Sequence, residues 1–231
     1  MSWLDVLLGR RFLEGPLAAA LAAHRALPRP DPRAPLAAAR LIVVDVEASG
    51  LDPARDRLLS IGAVAVRGGL VRLNETFEVV LRQDRPSAPD NIVVHRIGGE
   101  AQIGGCEPAA ALMDFLAFCG KDPLVAFHAP FDRLLIERAT RALLGYRPDN
   151  AWLDLALLAP ALFPGRVAGR TLDDWLHEFG IENHDRHNAL ADAVATAHLL
   201  LATLSSARRQ GIDNRKALLG LERDYRWLRR Q

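Results

Sequence analysis

Three apolar runs rich in β-branched residues, Leu41–Glu47, Leu58–Val66 and Leu70–Leu81, follow one another with only SGLDPARDR and RGG between them. Separators that short join antiparallel neighbours, so the pattern predicts three strands of one sheet. After Pro108 the spacing becomes helical as far as Cys119, and a short apolar run follows at Leu124–Phe127. A helix is expected over Phe131–Leu144, then a brief strand or turn near Trp152, then helices at Leu155–Leu162, Leu172–Phe179 and Ala189–Leu204. Strands first, then alternating strand and helix, make an α/β domain with a mixed sheet.

The two ends have a different character. Residues Ser2 to about Leu27 carry helical spacing (Trp3, Val6, Leu7, Phe12, Leu17, Leu21), and PRPDPRAP at Pro28–Pro35 cannot continue a helix. The expected organisation is a helical extension with a Pro-rich linker over residues 1–40, a domain over 41–206, and a charged helical tail over 207–231. A chain of 231 residues can build one well-packed domain with such extensions. No apolar run approaches the roughly 20 residues of a membrane span, and the N-terminal stretch lacks the layout of a secretory signal. The expected compartment is the cytoplasm, with no membrane partner. Cys106 and Cys119 form no Cys-x-x-Cys pair, which argues against zinc and redox chemistry. A net charge of +1 gives no global field for nucleic acid and leaves such contacts to a local basic surface.

Within the first run, Asp45 and Glu47 interrupt an otherwise apolar strand. Residues two apart on a strand share a face, so the two carboxylates lie side by side. Burial without a partner is costly, and a hard divalent cation such as Mg²⁺ would relieve it through carboxylate oxygens. Taken alone, two charges on a strand more often mark a solvated face, although the apolar neighbours speak against that here. Asp132, in LVAFHAPFDRLLIERA, starts a helix just past a strand's C-terminal end, where sites gather in open α/β sheets; alone it reads as a helix cap. Asp192, in HDRHNALADAVATAHLLL, lies about one turn into a helix among small residues, an unusual place for an acid without a cation. His184 and His187 share the preceding loop, and spacing does not choose between them.

Together and in this order, VVDVEASGLDP…LLSIGAVAV, VAFHAPFD and HNALADA resemble the three motifs of the DEDDh family of 3′–5′ exonucleases. The resemblance covers about Leu41 to Leu204. It implies a ribonuclease H-like fold, a five-stranded mixed β-sheet flanked by α-helices. It also implies that Asp45, Glu47, Asp132 and Asp192 hold two divalent ions, Mg²⁺ or Mn²⁺, with His187 rather than His184 as general base. Imidazole, whose ordinary pKa is about 6.5, suits that proton transfer at neutral pH. His95, in NIVVHRIGG, falls where relatives often carry VHGI near the substrate strand. The chain departs from the family at Val46, at Ala48-Ser49-Gly50 where many relatives have Thr-Thr-Gly, and at Phe127-His128-Ala129 where others have His-Asn-Ala. None of these removes a ligand.

The function implied is release of nucleoside monophosphates from 3′ ends of single-stranded nucleic acid, DNA favoured over RNA. Ala48, Ser49, His95, His128 and Phe131 are the expected substrate contacts. The competing readings are an RNA-trimming exoribonuclease and a non-catalytic module of the same fold that docks a DNA polymerase or another protein; intact acids and His187 argue against the module. The tail carries eight basic residues from Arg208 to Arg230, but Asp213, Glu222 and Asp224 dilute them, so a packed helix is the better expectation.

Overall fold

The computed structural model describes residues 13–167 and 171–229; the helical spacing over residues 2–12 lies outside them. Five strands form one mixed sheet: β1 (Arg40–Ala48), β2 (Leu58–Arg67), β3 (Leu70–Val80), β4 (Leu124–Ala126) and β5 (Trp152–Asp154), in the order β3-β2-β1-β4-β5. The first three pair antiparallel, as the turn-separated runs predict, while β4 and β5 add to β1 in parallel. Nine helices are described: α1 (Gly15–Ala26), α2 (Pro89–His95), α3 (Gly99–Ile103), α4 (Pro108–Cys119), α5 (Ala129–Leu144), α6 (Leu155–Leu162), α7 (Leu172–Glu178), α8 (Ala189–Arg209) and α9 (Arg215–Leu228). This is the five-stranded mixed sheet flanked by helices that the resemblance implies.

β1 is the central strand, and its alternation sorts the molecule into two cores. Ile42, Val44 and Val46 face one side and pack with Leu112, Phe115, Leu116, Leu135 and Ile136 of α4 and α5. Leu41 and Val43 face the other, with Leu158 of α6, Trp175 of α7 and Ala193, Ala197 and Leu200 of α8. Asp45 and Glu47 continue that second row, so the acids emerge on the α8 face, at the strand's C-terminal end. Regular pairing ends there too: Glu47 opposes Ser60, but Ala48 opposes Leu58, an irregularity that bends the chain just past the second acid.

Gly62 of β2 lies opposite Asp45. A Cβ on it would run into the backbone of Ala189 and Leu190, so only glycine lets the first turn of α8 lie against the strand. By length and composition α8 could cross a membrane. Instead it packs on β1 and β2, with Ala193, Ala197, Leu199 and Leu200 fully buried.

The Pro-rich linker and the tail brace one another. The Leu36 N–H donates to Asp213 O at 2.6 Å, and the Lys216 N–H donates to Pro32 O at 2.9 Å. Helix α9 packs on α6 and β5 with Leu218 fully buried, in keeping with the packed tail expected above. Neither α2 nor α3 is expected from periodicity: they are seven and five residues long. Both are too short to display a repeating stripe.

Candidate active site

The parallel pairing of β1 with β4 sets two strand ends side by side. Asp45 and Glu47 come from the first. The second leads through His128 into α5, whose first turn carries buried Asp132. Asp154, at the end of β5, fixes that turn: its Oδ1 accepts from the His128 N–H at 3.1 Å and from the Ala156 N–H at 3.1 Å. From the opposite direction α8 brings in Asp192, one turn past its Asn188 cap. Ligand atoms of Glu47, His187 and Asp192 all lie within 4.8 Å of one another. His184 points away, 86% exposed and paired with Glu182 at 3.1 Å, so the loop offers one imidazole to the acids.

So many carboxyl groups in one place resist ionisation. Burial pushes Asp45 well above the usual carboxylate range, and the Asp192 charge adds to it. Glu47 is pushed up to about 9, first by burial and then by Asp45 and Asp192. Asp132 is raised by burial and by Asp45, partly offset by hydrogen bonds from its own and the Val46 backbone. Arg186 opposes these shifts. Its guanidinium pairs with Asp192 and, through Nε at 2.7 Å, with Asp173 of α7, and it favours the charged forms of both Asp45 and Glu47. Asn183 Nδ2 and the His187 N–H, the latter at 3.2 Å, also donate to Asp192. A cluster that needs a cation, and draws a guanidinium to its edge, fits a divalent ion in its donor chemistry: hard carboxylate oxygens with one imidazole.

The expected substrate contacts divide. Ala48 and Phe131 are half-buried, packed against the α4–α5 core, and His128 is exposed at the start of α5. Ser49 is committed locally: its Oγ donates to Asp56 at 2.9 Å and accepts from the Arg57 N–H, and its carbonyl accepts from Asn91 of α2. His95 borders a cleft of about 220 Å³ shared with Glu47 and His187, but it is buried and both ring nitrogens are taken. Nδ1 accepts from the Ile97 N–H at 3.1 Å, so Nε2 carries the proton and donates to Ser87 Oγ at 2.8 Å. Its observed role is to hold the α2–α3 turn. A larger cavity of about 510 Å³ between α5 and α9 contains none of the four clustered acids.

Among the described residues, Arg96, His128 and His187 alone have positive φ without being glycine, at 55°, 64° and 66°. Arg96 and His187 line the cleft and His128 caps the helix that carries Asp132; such conformations persist only where surroundings impose them. Arg186, Asn183 and Asp154 carry no motif of their own, and Gly62 falls within the first motif without being singled out by it. Only the polar density of ENHDRHN hints at the first two.

A family model for exonucleases, named for RNase T, matches residues 42–200. The chain is 34% identical over 190 residues to a DNA polymerase III subunit epsilon-like protein of Rhodobacter capsulatus, covering 80% of this chain and 26% of that one. It is 31% identical over 173 residues to the PolC-type DNA polymerase III of Bacillus subtilis, covering 74% and 12%. The chain thus spans about a quarter and an eighth of those relatives' lengths. To the DNA polymerase III subunit epsilon of Aquifex aeolicus it is 28% identical, covering 79% and 89%. Among solved structures, E. coli exonuclease I in complex with a dT13 oligonucleotide superposes with a TM-score of 0.62 at 19% identity, covering 74% of this chain and 42% of that one. Exonuclease X in complex with 5′ overhanging duplex DNA gives 0.59 at 23%, covering 79% and 99%. With the family model spanning residues 42–200, this protein belongs to the DEDDh-type exonuclease family and has the ribonuclease H-like fold.

Proposed function

We propose that the protein is a metal-dependent 3′–5′ exonuclease that removes nucleoside monophosphates from single-stranded DNA. The observation that carries this reading is the packing of His187 against Glu47 and Asp192 beside two further acids held above their ordinary pKa. A structural ion pair needs one acid and one base; this arrangement leaves carboxylates in excess. Asp45, Glu47, Asp132 and Asp192 would hold two divalent ions, Mg²⁺ or Mn²⁺. Such ions supply an activated water and stabilise the leaving 3′ oxygen in an in-line displacement.

The remaining work falls to side chains. His187 takes the proton of the attacking water, held on the acids by its αL backbone and by the bond from its N–H to Asp192. Asp132 is fixed by the α5 turn that Asp154 braces, so the strand-end geometry is set before substrate arrives. DNA is favoured over RNA because two neighbours of similar fold carry DNA in their complexes. The epsilon-type relatives support a polymerase as partner.

The test is incubation of 5′-labelled single-stranded DNA and RNA with Mg²⁺ or Mn²⁺. The expected result is a ladder shortening from the 3′ end, faster on DNA and absent with Asp45→Ala. His187→Ala should lower kcat by about 10²–10⁴ while leaving metal-induced thermal stabilisation in place. Intact strands under every metal condition would refute the reading.

A further inference from the structure

The cleft beside the acids has an unusual charge balance. Its wall contains Glu47, Glu78 and Asp185, and among the described residues Arg96 is the single arginine or lysine that lines it. A polyanion entering here meets that guanidinium on a wall otherwise rich in carboxylates. Arg96 is also the C-cap of α2 with φ 55° and ψ 10°, a left-handed conformation that arginine rarely adopts and that glycine would occupy without strain. The side chain does not explain its presence by anchoring the fold. Its side chain is 60% exposed, and its one ion pair among the described residues is to Asp185 at 3.7 Å, itself 63% exposed. A long pair between two solvated groups exchanges readily for a better partner. Phosphate is such a partner, because the planar guanidinium matches two of its oxygens at once.

We propose that Arg96 is a substrate-binding residue that leaves Asp185 to hold a phosphate of the bound strand other than the scissile one. The pair spans the cleft between the turn after α2 and the loop that carries His187, so an entering strand replaces it where it passes. Asp185 is the built-in competitor: it holds the guanidinium at the cleft in the free protein and sets how much affinity the exchange yields. The inference rests on the exonuclease reading above and goes beyond it in assigning an arginine that stands where relatives often carry the glycine of VHGI.

The experiment measures kcat and KM on single-stranded oligothymidylate across a series of salt concentrations, for wild type, Arg96→Gly, Arg96→Lys, Asp185→Asn and Arg96→Gly/Asp185→Asn. Arg96→Gly is expected to raise KM about tenfold, the effect of one charge-assisted hydrogen bond, with the loss on KM rather than kcat. It should also reduce the slope of log(kcat/KM) against log salt by about 0.7, one phosphate contact on a single strand. Its melting temperature should not fall, since glycine suits the αL position. Arg96→Lys should keep the slope. Asp185→Asn should lower KM in the wild-type background and have no such effect in the Arg96→Gly background. An unchanged slope and KM in Arg96→Gly, in a preparation whose wild type trims the strand, overturns the role of Arg96. An equal effect of Asp185→Asn in both backgrounds overturns the exchange. A wild type that leaves the strand intact removes the exonuclease reading and this inference with it.

Discussion

Replacing Arg186 with methionine, which keeps the apolar stem and deletes the charge, should weaken the metal-free protein and strengthen its response to metal. The guanidinium reaches buried Asp192 on one side and exposed Asp173 on the other. Stripping the partner from a buried ion costs about 3–5 kcal/mol when nothing else satisfies the survivor. Asp192 keeps Asn183 and the His187 N–H, and the exposed Asp173 pair contributes at most about 1 kcal/mol. The acids can also take up protons rather than remain charged and unpaired. These reliefs bring the expected loss to about 2 kcal/mol, a fall of roughly 4–8 °C in Tm for a chain of this size.

Divalent metal reverses the comparison. In the wild type a bound ion competes with Arg186 for Asp192; in the variant the carboxylate is free to take it. Thermal melts in EDTA and in saturating Mn²⁺ should show the variant below wild type without metal and a larger metal-induced rise in the variant. Calorimetric titration should give tighter Mn²⁺ binding to the variant. An unchanged Tm in EDTA, or an equal metal increment in both proteins, would show that Arg186 is a bystander to the acid cluster.

Two further outcomes follow from the same geometry. Glu47 is held at about 9 against an ordinary 4.5, so its stabilising contribution is complete below pH 4.5 and fades as pH rises towards 9; metal uptake near pH 7 should therefore release about one proton or more, read as a dependence of the calorimetric enthalpy on the buffer's ionisation heat, and no proton release would contradict the shift. Gly62→Ala should cost about 3 kcal/mol, the upper part of the usual range for overpacking, because the new methyl meets helix backbone at Ala189 and Leu190 rather than a movable side chain. Its activity should fall even at temperatures where it is folded, since Asp192 rides on that helix; wild-type Tm and kcat together would refute the argument.

Much of this could be read from the chain because it is local. The β1–β3 meander follows from strand-length apolar runs and short turns, and the face shared by Asp45 and Glu47 follows from the period of a strand. The segment from Pro89 to Ile103 could not be read in the same way. Its helices are too short for a stripe, and Val93 and Val94 of α2 are 78% and 53% exposed, against the ordinary meaning of an apolar pair. His95 shows the same limit from the other side. Its place near the cleft is as the resemblance implies, but its bonds to Ser87 and Ile97 depend on a turn that no spacing announces.

The charge that answers the acids was the least legible part, and the reason is physical. A motif records the side chains whose separation along the chain is fixed, as His187 and Asp192 are by the entry to α8. Arg186 adjoins His187, yet the two side chains meet the cluster differently because His187 has a left-handed backbone. That single φ near +66° brings the imidazole to Glu47 and Asp192 while the guanidinium spans Asp192 and Asp173. The same loop therefore supplies both the imidazole and the resident cation; the third motif marks the first, and no residue pattern marks the second. Charge balance does: acids this buried either keep their protons or take a compensating cation, and the metal-free fold holds a partial one in reach, so any ion that binds must compete with Arg186 at Asp192.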